Sequence, residues 1–242
     1  SGSPSIIYGK NINISGSSIT SNTSHDGNIV QSNDGNSVGG YINVKNSLFA
    51  DNIIHDASST TSGVLTVGST GSINSTNTNY INNSTTLSNP NTGAAGGAII
   101  LDSDSTANII ADNGNSVFHG NTANGQSNAI NLAGTNNTVN LNAGNGGIVQ
   151  FDDKITSSGF TNKININSSI QDSNGNNIVN NGQVVLNDSV TNSSVNLYNG
   201  TLSLGRENVL NGDNLSLNGG YLNLINGQTG AMALNNLAVN GN

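Results

Sequence analysis

The chain lacks cysteine, and charged, aromatic and proline residues are scarce in it. Of its 242 residues, 7% are charged, 4% are aromatic and only two are proline. Without cysteine, disulfides and thiolate-bound metals are excluded. So few charges leave almost no i,i+4 ion pairs to support exposed helices. Five Lys and Arg against 13 Asp and Glu also argue against a nucleic-acid partner, because binding relies on cations that neutralise phosphates.

Long apolar segments are missing as well. No apolar run approaches the roughly 20 residues that a membrane-spanning helix needs. No segment has the features of a signal peptide, so we expect any export signal to have been removed or to lie outside this chain.

Asparagine is the residue in excess, at roughly one residue in five, far above ordinary usage. With 31 Gly and abundant Ser and Thr it disfavours helices, because these residues compete with the helical backbone or lose more entropy in it. Asn and Gly instead tolerate the left-handed backbone of tight turns. The composition predicts many short strands joined by turns, and a disordered or aggregation-prone chain is the alternative.

Short segments in which an apolar residue alternates with Asn, Ser or Thr occur along almost the whole chain. Each predicts a strand of a few residues with one apolar face, bounded by Gly-containing turns. An antiparallel sandwich would show the same alternation, so other features must decide the topology. Examples are Ile12 with Ile14, Ile42 with Val44, Val139 with Leu141, Ile164 with Ile166, and Leu215 with Leu217.

Three features favour a parallel β-helix. The strands are short and many, aromatic residues are too few to fill a wide core, and the polar neighbours can form ladders when coils stack about 4.8 Å apart. We therefore predict an all-β parallel β-helix (solenoid) as a single elongated domain over residues 1–242. Within it, residues 1–156 form longer, irregular coils, and residues 157–242 form tighter coils rich in Leu, Asn and Gly.

A short motif recurs in the first half, with an apolar or aromatic residue three positions before Asn. Successive copies are roughly 30 to 38 residues apart, within the range of repeat architectures. Such repeats stack and bury a continuous core. We interpret the aromatic residues as stacked core residues and the Asn residues as turn caps or ladder rungs. The four copies are Ile19 with Asn22, Phe49 with Asn52, Tyr80 with Asn83, and Phe118 with Asn121.

Two copies of the motif follow a pair of glycines. One combination consists of Gly96, Gly97, Ala98 and Ile99, followed by Phe118 and Asn121; the other consists of Gly39, Gly40, Tyr41 and Ile42, followed by Phe49 and Asn52. The first resembles the Gly-Gly-Ala-Ile and Phe-x-x-Asn repeats of chlamydial polymorphic membrane proteins and related bacterial autotransporters. The second departs from the pattern because Tyr41 replaces Ala. Residues 183–242 are similar to AIDA-type and rickettsial-type passenger segments.

The resemblance implies a passenger domain, a right-handed β-helix exported through a C-terminal membrane barrel that lies outside this chain. It would be displayed on the cell surface or outer membrane of a Gram-negative bacterium, or secreted after processing. Passenger domains of this kind are commonly adhesins. The partners it implies are a protein or glycan receptor on a host or bacterial cell surface. We further expect that two such rods could self-associate side by side.

Carboxylates offer the main alternative chemistry. In Asp102-Ser103-Asp104, strand alternation would place Asp102 and Asp104 on one face. That pair is a weak candidate for calcium, or for the acid and base of a carbohydrate-active enzyme such as a polysaccharide lyase or hydrolase. Asp152 and Asp153 form a second acidic pair.

The three histidines, His25, His55 and His119, have no second ligand at metal-site spacing in the sequence. We therefore expect no catalytic residues, no cofactor and no metal. The leading hypothesis is a non-enzymatic adhesin or self-association module. A carbohydrate-active enzyme and a passive structural stalk are the alternatives.

Overall fold

The computed structural model describes residues 5–33, 39–57, 61–90, 93–169, 180–224 and 232–240. Within these ranges the chain forms strands and no helix. Strands that follow one another in the chain belong to different sheets, except for Thr122–Ala123 and Gln126–Ser127, which pair antiparallel within one sheet. Each sheet otherwise gathers its strands from successive coils. Almost all pairings are parallel, which confirms the predicted all-β parallel β-helix.

Four sheets run along the coil, named A to D in the order in which the chain passes through them. Sheet A contains Ile7–Gly9, Val30–Ser32, Leu65–Val67, Ile99–Leu101, Ile130–Leu132 and Ile155–Ser157. Sheet B contains Asn11–Ser15, Tyr41–Lys45, Ser72–Thr76, Thr106–Asp112, Thr138–Gly144, Lys163–Ile166, Ser194–Leu197, Asn214–Leu217 and Asn236–Val239.

Sheet C contains Ser18–Thr20, Leu48–Ala50, Asn79–Ile81, Asn115–His119, Ile148–Phe151, Gln183–Leu186, Thr201–Leu204 and Tyr221–Leu224. Sheet D contains Thr23–His25, Ile53–Ala57, Ser84–Leu87, Thr122–Ala123 and Gln126–Ser127, of which the last pairs antiparallel to its neighbour. Two short strands, Thr61–Ser62 and Ala94–Ala95, pair with each other.

Sheet B is the longest and runs without interruption through nine strands. At about 4.8 Å between strands, it makes the rod about 40 Å long. Its register keeps equivalent residues in line, so that Ile12 pairs with Ile42 and Ile42 with Ile73. Each apolar position therefore lies on a similar position of the next coil.

The core is a column of aliphatic side chains that point inward from all four sheets. Alternation along each strand sends every second residue inward, and these residues are almost completely buried. Aromatic side chains enter the core from sheet C. Core residues include Ile42, Val44, Leu65, Ile99, Leu101, Ile109, Ile130, Val139, Leu141, Ile164, Val184, Val195 and Leu202.

The coils shorten in the second half of the chain. In the described residues, sheet D ends at Gln126–Ser127 and sheet A at Ile155–Ser157, whereas sheets B and C continue. In the last coils, residues that pair in register are only 18 to 22 residues apart, as for Gln183 with Thr201 and Asn214 with Asn236. These short coils begin at Gln183–Leu186, and the division of the domain at residue 157 stays a prediction.

Tight coils require glycine at the corner between sheets B and C. Gly200 has a φ of +64°, and a Cβ atom there would lie 2.4 Å from the carbonyl oxygen of Gly182 in the preceding coil. Left-handed backbone and close approach of two backbones are both conditions that favour glycine. The corner is therefore closed to any side chain.

We predict that Gly200→Ala destabilises the protein by at least about 1 kcal/mol, because it adds strain at positive φ and a clash with backbone. The measurement is the free energy of unfolding in denaturant. Gly159→Ala is the matched control, since a Cβ there meets nothing within 4 Å. Equal effects of the two substitutions would contradict this account of the corner.

Candidate functional site

The recurrent motif forms a column of stacked side chains on the inner face of sheet C. Ile19, Phe49, Tyr80 and Phe118 pair in register on successive strands. From Phe49 onward the rings stack, with centroids 5.4, 4.6 and 4.3 Å apart and interplanar angles of 10°, 13° and 7°. The last ring of the stack is Phe151, which the recurrent motif does not predict.

Tyr80 is the polar member of this stack. Its hydroxyl group is fully buried and lies 2.9 Å from the Ser75 hydroxyl. Burial raises the pKa of Tyr80 above its ordinary value, and the Ser75 hydrogen bond opposes this rise. The tyrosine therefore remains neutral and acts as a core residue.

The Asn residues of the motif form a buried ladder at the corner that follows sheet C. Each side-chain Nδ2 donates to the Oδ1 of the next Asn at 2.9 Å, from Asn22 to Asn52, Asn83 and Asn121. Each Oδ1 also accepts the backbone N–H of the preceding Asn at 3.2 Å. From Asn52 onward, Nδ2 also donates to a backbone carbonyl oxygen at 2.8 to 3.0 Å. The ladder therefore provides hydrogen-bond partners for the polar groups at the corner of each coil.

Asp153 ends this ladder. Its Oδ2 accepts both the backbone N–H and the Nδ2 of Asn121 at 2.8 Å, and its Oδ1 accepts the backbone N–H of Gly120 at 2.9 Å. Burial raises the pKa of Asp153, and the hydrogen bonds from Asn121 and Gly120 oppose the rise. Asp153 lies only two residues after Phe151, whereas the other rungs lie three residues after their apolar partner. Because the spacing is shorter by one residue, the sequence motif does not include Asp153.

A second buried ladder follows the corner that leads into sheet B. The backbone N–H of Ser105 donates to Asn137 Oδ1 at 2.9 Å, and that of Asn137 donates to Asn162 Oδ1 at 2.8 Å. Further along, Ser193 donates its N–H to Asp213 Oδ1 at 2.8 Å. The other oxygen of Asp213 is buried and has no partner among the described residues. Burial raises the pKa of Asp213 to about 6, against the opposing hydrogen bond from Ser193.

A third ladder lies on the outer face of sheet B, and we call it the outer Asn ladder. Its members are separated by one coil each, and every Nδ2 donates to the Oδ1 of the Asn in the preceding coil at 2.7 to 3.1 Å. None of these side chains is buried. The seven residues are Asn13, Asn43, Asn74, Asn108, Asn140, Asn165 and Asn196.

The expected placement of Asp102 and Asp104 on one strand face is wrong. Both follow strand Ile99–Leu101 in a turn, where Asp104 has a φ of 59°. Asp102 Oδ1 accepts the N–H of Ser103 at 2.8 Å, and Asp104 Oδ1 accepts the Nδ2 of Asn136 at 3.1 Å. In the part of the chain that the structure describes, no three His, Asp or Glu side chains are grouped to hold a metal.

The two Gly-Gly pairs lie at different places in the coil. Gly96 and Gly97 precede a strand of sheet A, with Ala98 and Ile99 buried, whereas Gly39 and Gly40 precede the strand Tyr41–Lys45 of sheet B. The two pairs are therefore not equivalent in the fold. At Gly97 a Cβ atom would lie 2.5 Å from the backbone nitrogen of Thr122, so a neighbouring segment fills the space of a side chain.

The second acidic pair is divided between two environments. Unlike Asp153, Asp152 is part of an open hydrogen-bonded group with His119 Nδ1 at 2.9 Å, Gln150 and Asn187. Partial burial raises the pKa of Asp152, but hydrogen bonds from Asn187, Gln150 and His119 outweigh it and lower the pKa below its ordinary value. Asp152 is therefore a stable anion and a poor proton donor.

An open groove of about 360 Å³ lies at the corner between sheets B and C in the described part of the chain. No carboxylate or imidazole lines it, so the groove offers no side chain for acid–base catalysis. Its lining residues are Gly146, Gly147, Ile148, Asn181, Gly182, Gln183 and Thr201.

Comparison of the chain with protein-family models gave no match, and neither curated proteins nor solved structures gave one. The described residues also contain no helix long and apolar enough to cross a membrane. The function must therefore be argued from the residues themselves.

We predict that Asn83→Ala lowers the free energy of unfolding by at least about 2 kcal/mol, because it leaves the buried backbone N–H of Asn52 and one of the two Nδ2 protons of Asn52 without an acceptor. Asn108→Ala in the outer Asn ladder is the matched control. Water can reach the groups left there, so we expect a loss below about 1 kcal/mol. Denaturant unfolding of both variants checks this, and equal losses would contradict the distinction between inner and outer ladders.

We predict a pH-dependent gain in stability from Asp213→Asn. Because the folded pKa is about 6, above the ordinary 3.8, the aspartate destabilises the fold as pH rises through this range. The variant should be more stable than the wild type by about 1–3 kcal/mol at pH 7, and the difference should disappear near pH 4. Unfolding at the two pH values measures this, and a pH-independent difference would contradict it.

Proposed function

We propose that the chain is a non-enzymatic adhesin whose function is lateral self-association, with the outer Asn ladder as its contact surface. The observation that carries this proposal is the uninterrupted series of seven solvent-accessible amides on seven adjacent coils. An amide series of this kind repeats one set of hydrogen-bonding groups at every coil.

The outer Asn ladder leaves part of each amide unused. An Asn side chain has two N–H donors and an oxygen with two lone pairs. The ladder uses one donor and one lone pair of each Asn that is not at an end of the series. Each of these Asn side chains therefore keeps one donor and one acceptor site for a partner. At about 4.8 Å per rung, the surface presents a regular line of such pairs about 30 Å long.

Small side chains flank the middle of this line on sheet B. Ser72 and Thr76 lie on either side of Asn74, and Thr106 and Thr138 lie beside Asn108 and Asn140. Longer side chains lie nearer the ends of the line, with Tyr41 and Lys45 on either side of Asn43 and Lys163 beside Asn165. A flat partner can therefore approach the middle amides without displacing long charged chains. The surface therefore fits an equally flat and polar partner.

A second copy of the chain is the partner with matching chemistry. Two copies related by a twofold axis would present lines of donors and acceptors with the same repeat distance. Each new hydrogen bond replaces bonds to water and contributes only about 1 kcal/mol, so affinity requires many rungs at once. Such contacts are weak singly and become strong when many copies are held close together.

Cell-surface display would supply that condition. The resemblance to autotransporter passenger domains supports a location on the surface or outer membrane of a Gram-negative bacterium, or secretion after processing. On a surface, many rods stand side by side on one cell and face rods on the next. A receptor on a host cell is an alternative partner for the same polar surface.

The two alternative functions make different demands on the structure. A carbohydrate-active enzyme needs paired carboxylates at a groove, but Asp102 and Asp104 are engaged in a turn and the open groove has no acidic lining. A passive stalk needs the outer Asn ladder only to hold coils together. A stalk would not associate, so measurement of association separates it from our proposal.

The test uses sedimentation velocity over a range of protein concentrations. We expect reversible, concentration-dependent dimers for the wild type, and a loss of association of about tenfold or more for Asn108→Arg, because the long cation separates the flat surfaces. Val185→Arg, on the outer face of sheet C, is the matched control and should associate normally. A wild-type protein that stays monomeric, or equal behaviour of the two variants, would overturn the proposal.

A further inference from the structure

Two histidines one coil apart lie side by side on sheet D. His25 ends the strand Thr23–His25 and pairs in register with His55 of the next strand, Ile53–Ala57. Their ring centroids are 5.5 Å apart and the rings are tilted by 30°. Both side chains are exposed at the surface. Parallel stacking of coils has thus brought together two imidazoles that are far apart in the sequence.

The ring nitrogens of this pair are open to solvent. No side chain or backbone group among the described residues hydrogen-bonds to either ring. The third histidine differs, because Nδ1 of His119 is bound to the Asp152 carboxylate at 2.9 Å. His25 and His55 therefore keep their nitrogen lone pairs available, and their exposed rings have room to rotate.

We infer that His25 and His55 form a binding site for a divalent transition-metal ion. Neutral imidazole is a common ligand for such ions, with nitrogen–zinc distances of about 2.0–2.1 Å. Side chains at paired positions of adjacent strands begin about 5 Å apart, so modest rotation of the two rings can direct one nitrogen of each at a shared ion. Imidazole ligands favour copper, nickel and zinc over calcium and magnesium.

The site is open on its outer side. In the described part of the chain, no third acidic or histidine side chain completes a group of three ligands. Water must therefore fill the remaining coordination positions, and the ion stays exchangeable. For two imidazoles and water, affinity should decrease in the order copper, nickel, zinc.

A bound ion would connect two coils that are otherwise joined by hydrogen bonds and packing. The two rings are neighbours only when the coils stack in register, so the ion binds the folded state and stabilises it by linkage. Binding also requires neutral imidazoles and must fail in acid. The site would therefore couple the stability of this end of the rod to the metal ions around it.

The experiment measures nickel and zinc binding to the metal-free full chain at pH 7.5 by calorimetry, together with the shift in Tm. We expect saturable binding of one ion, tighter for nickel than for zinc, and a higher Tm that chelator reverses. His25→Gln and His55→Gln should each weaken binding by about tenfold or more, because each removes one arm of the chelate. His119→Gln is the matched control and should bind like the wild type.

Several results would overturn the inference. They are a wild type that does not bind either ion, binding that survives loss of His25 or His55, and equal loss in His119→Gln. Circular dichroism shows whether each variant folds. If a variant does not fold, NMR of the histidine ring signals of the wild-type protein tests the site instead. Nickel or zinc must then perturb the rings of His25 and His55 selectively, and the perturbation must vanish at pH 5. Perturbation of His119 alone would refute the site.

Discussion

In-register stacking of successive coils is the constraint on which the rest of this structure depends. Each strand finds its backbone hydrogen-bond partners in the next coil, so every side chain lies directly on its equivalent one coil away. Each position must therefore hold a residue that can pack against, or hydrogen-bond to, a similar residue in the adjacent coil. Aliphatic columns fill the core, rings stack from Phe49 to Phe151, and Asn bonds to Asn. Asn suits the corners because its amide both donates and accepts along one line.

The ladders have a direction, and this direction explains where some of the few carboxylates lie. In the two buried ladders, hydrogen bonds are donated toward the C-terminal coils. A final amide would have no rung to receive its own N–H, whereas a carboxylate only accepts. Asp153 closes one ladder in this way with three accepted bonds, and Asp213 accepts from Ser193 in the other column but leaves one oxygen without a partner. Asp153 thus ends its ladder with both carboxylate oxygens hydrogen-bonded, whereas Asp213 keeps the free-energy cost of one buried oxygen without a hydrogen bond.

The same amide chemistry has different consequences inside and outside the coil. Inside, water is excluded, so each broken bond leaves a buried polar group and lowers stability. On the outer face of sheet B, water competes for the amides, and the ladder contributes less to stability but leaves donors and acceptors free for a partner. Position relative to the core thus separates the scaffold ladder at Asn83 from the proposed contact surface at Asn108.

Local patterns in the sequence sufficed to predict the all-β class, the short strands, the parallel coil and the shared column of Phe49, Tyr80 and Phe118, because alternation and turn residues act over a few positions. They could not predict that Phe151 and Asp153 continue this column with one residue fewer, or that Asp102 and Asp104 occupy a turn. Nor could they pair His25 with His55. Those contacts join residues a whole coil apart, and coil length varies from 18 to 38 residues among the described strands. Which residues meet across coils was therefore decided by the tertiary stacking alone.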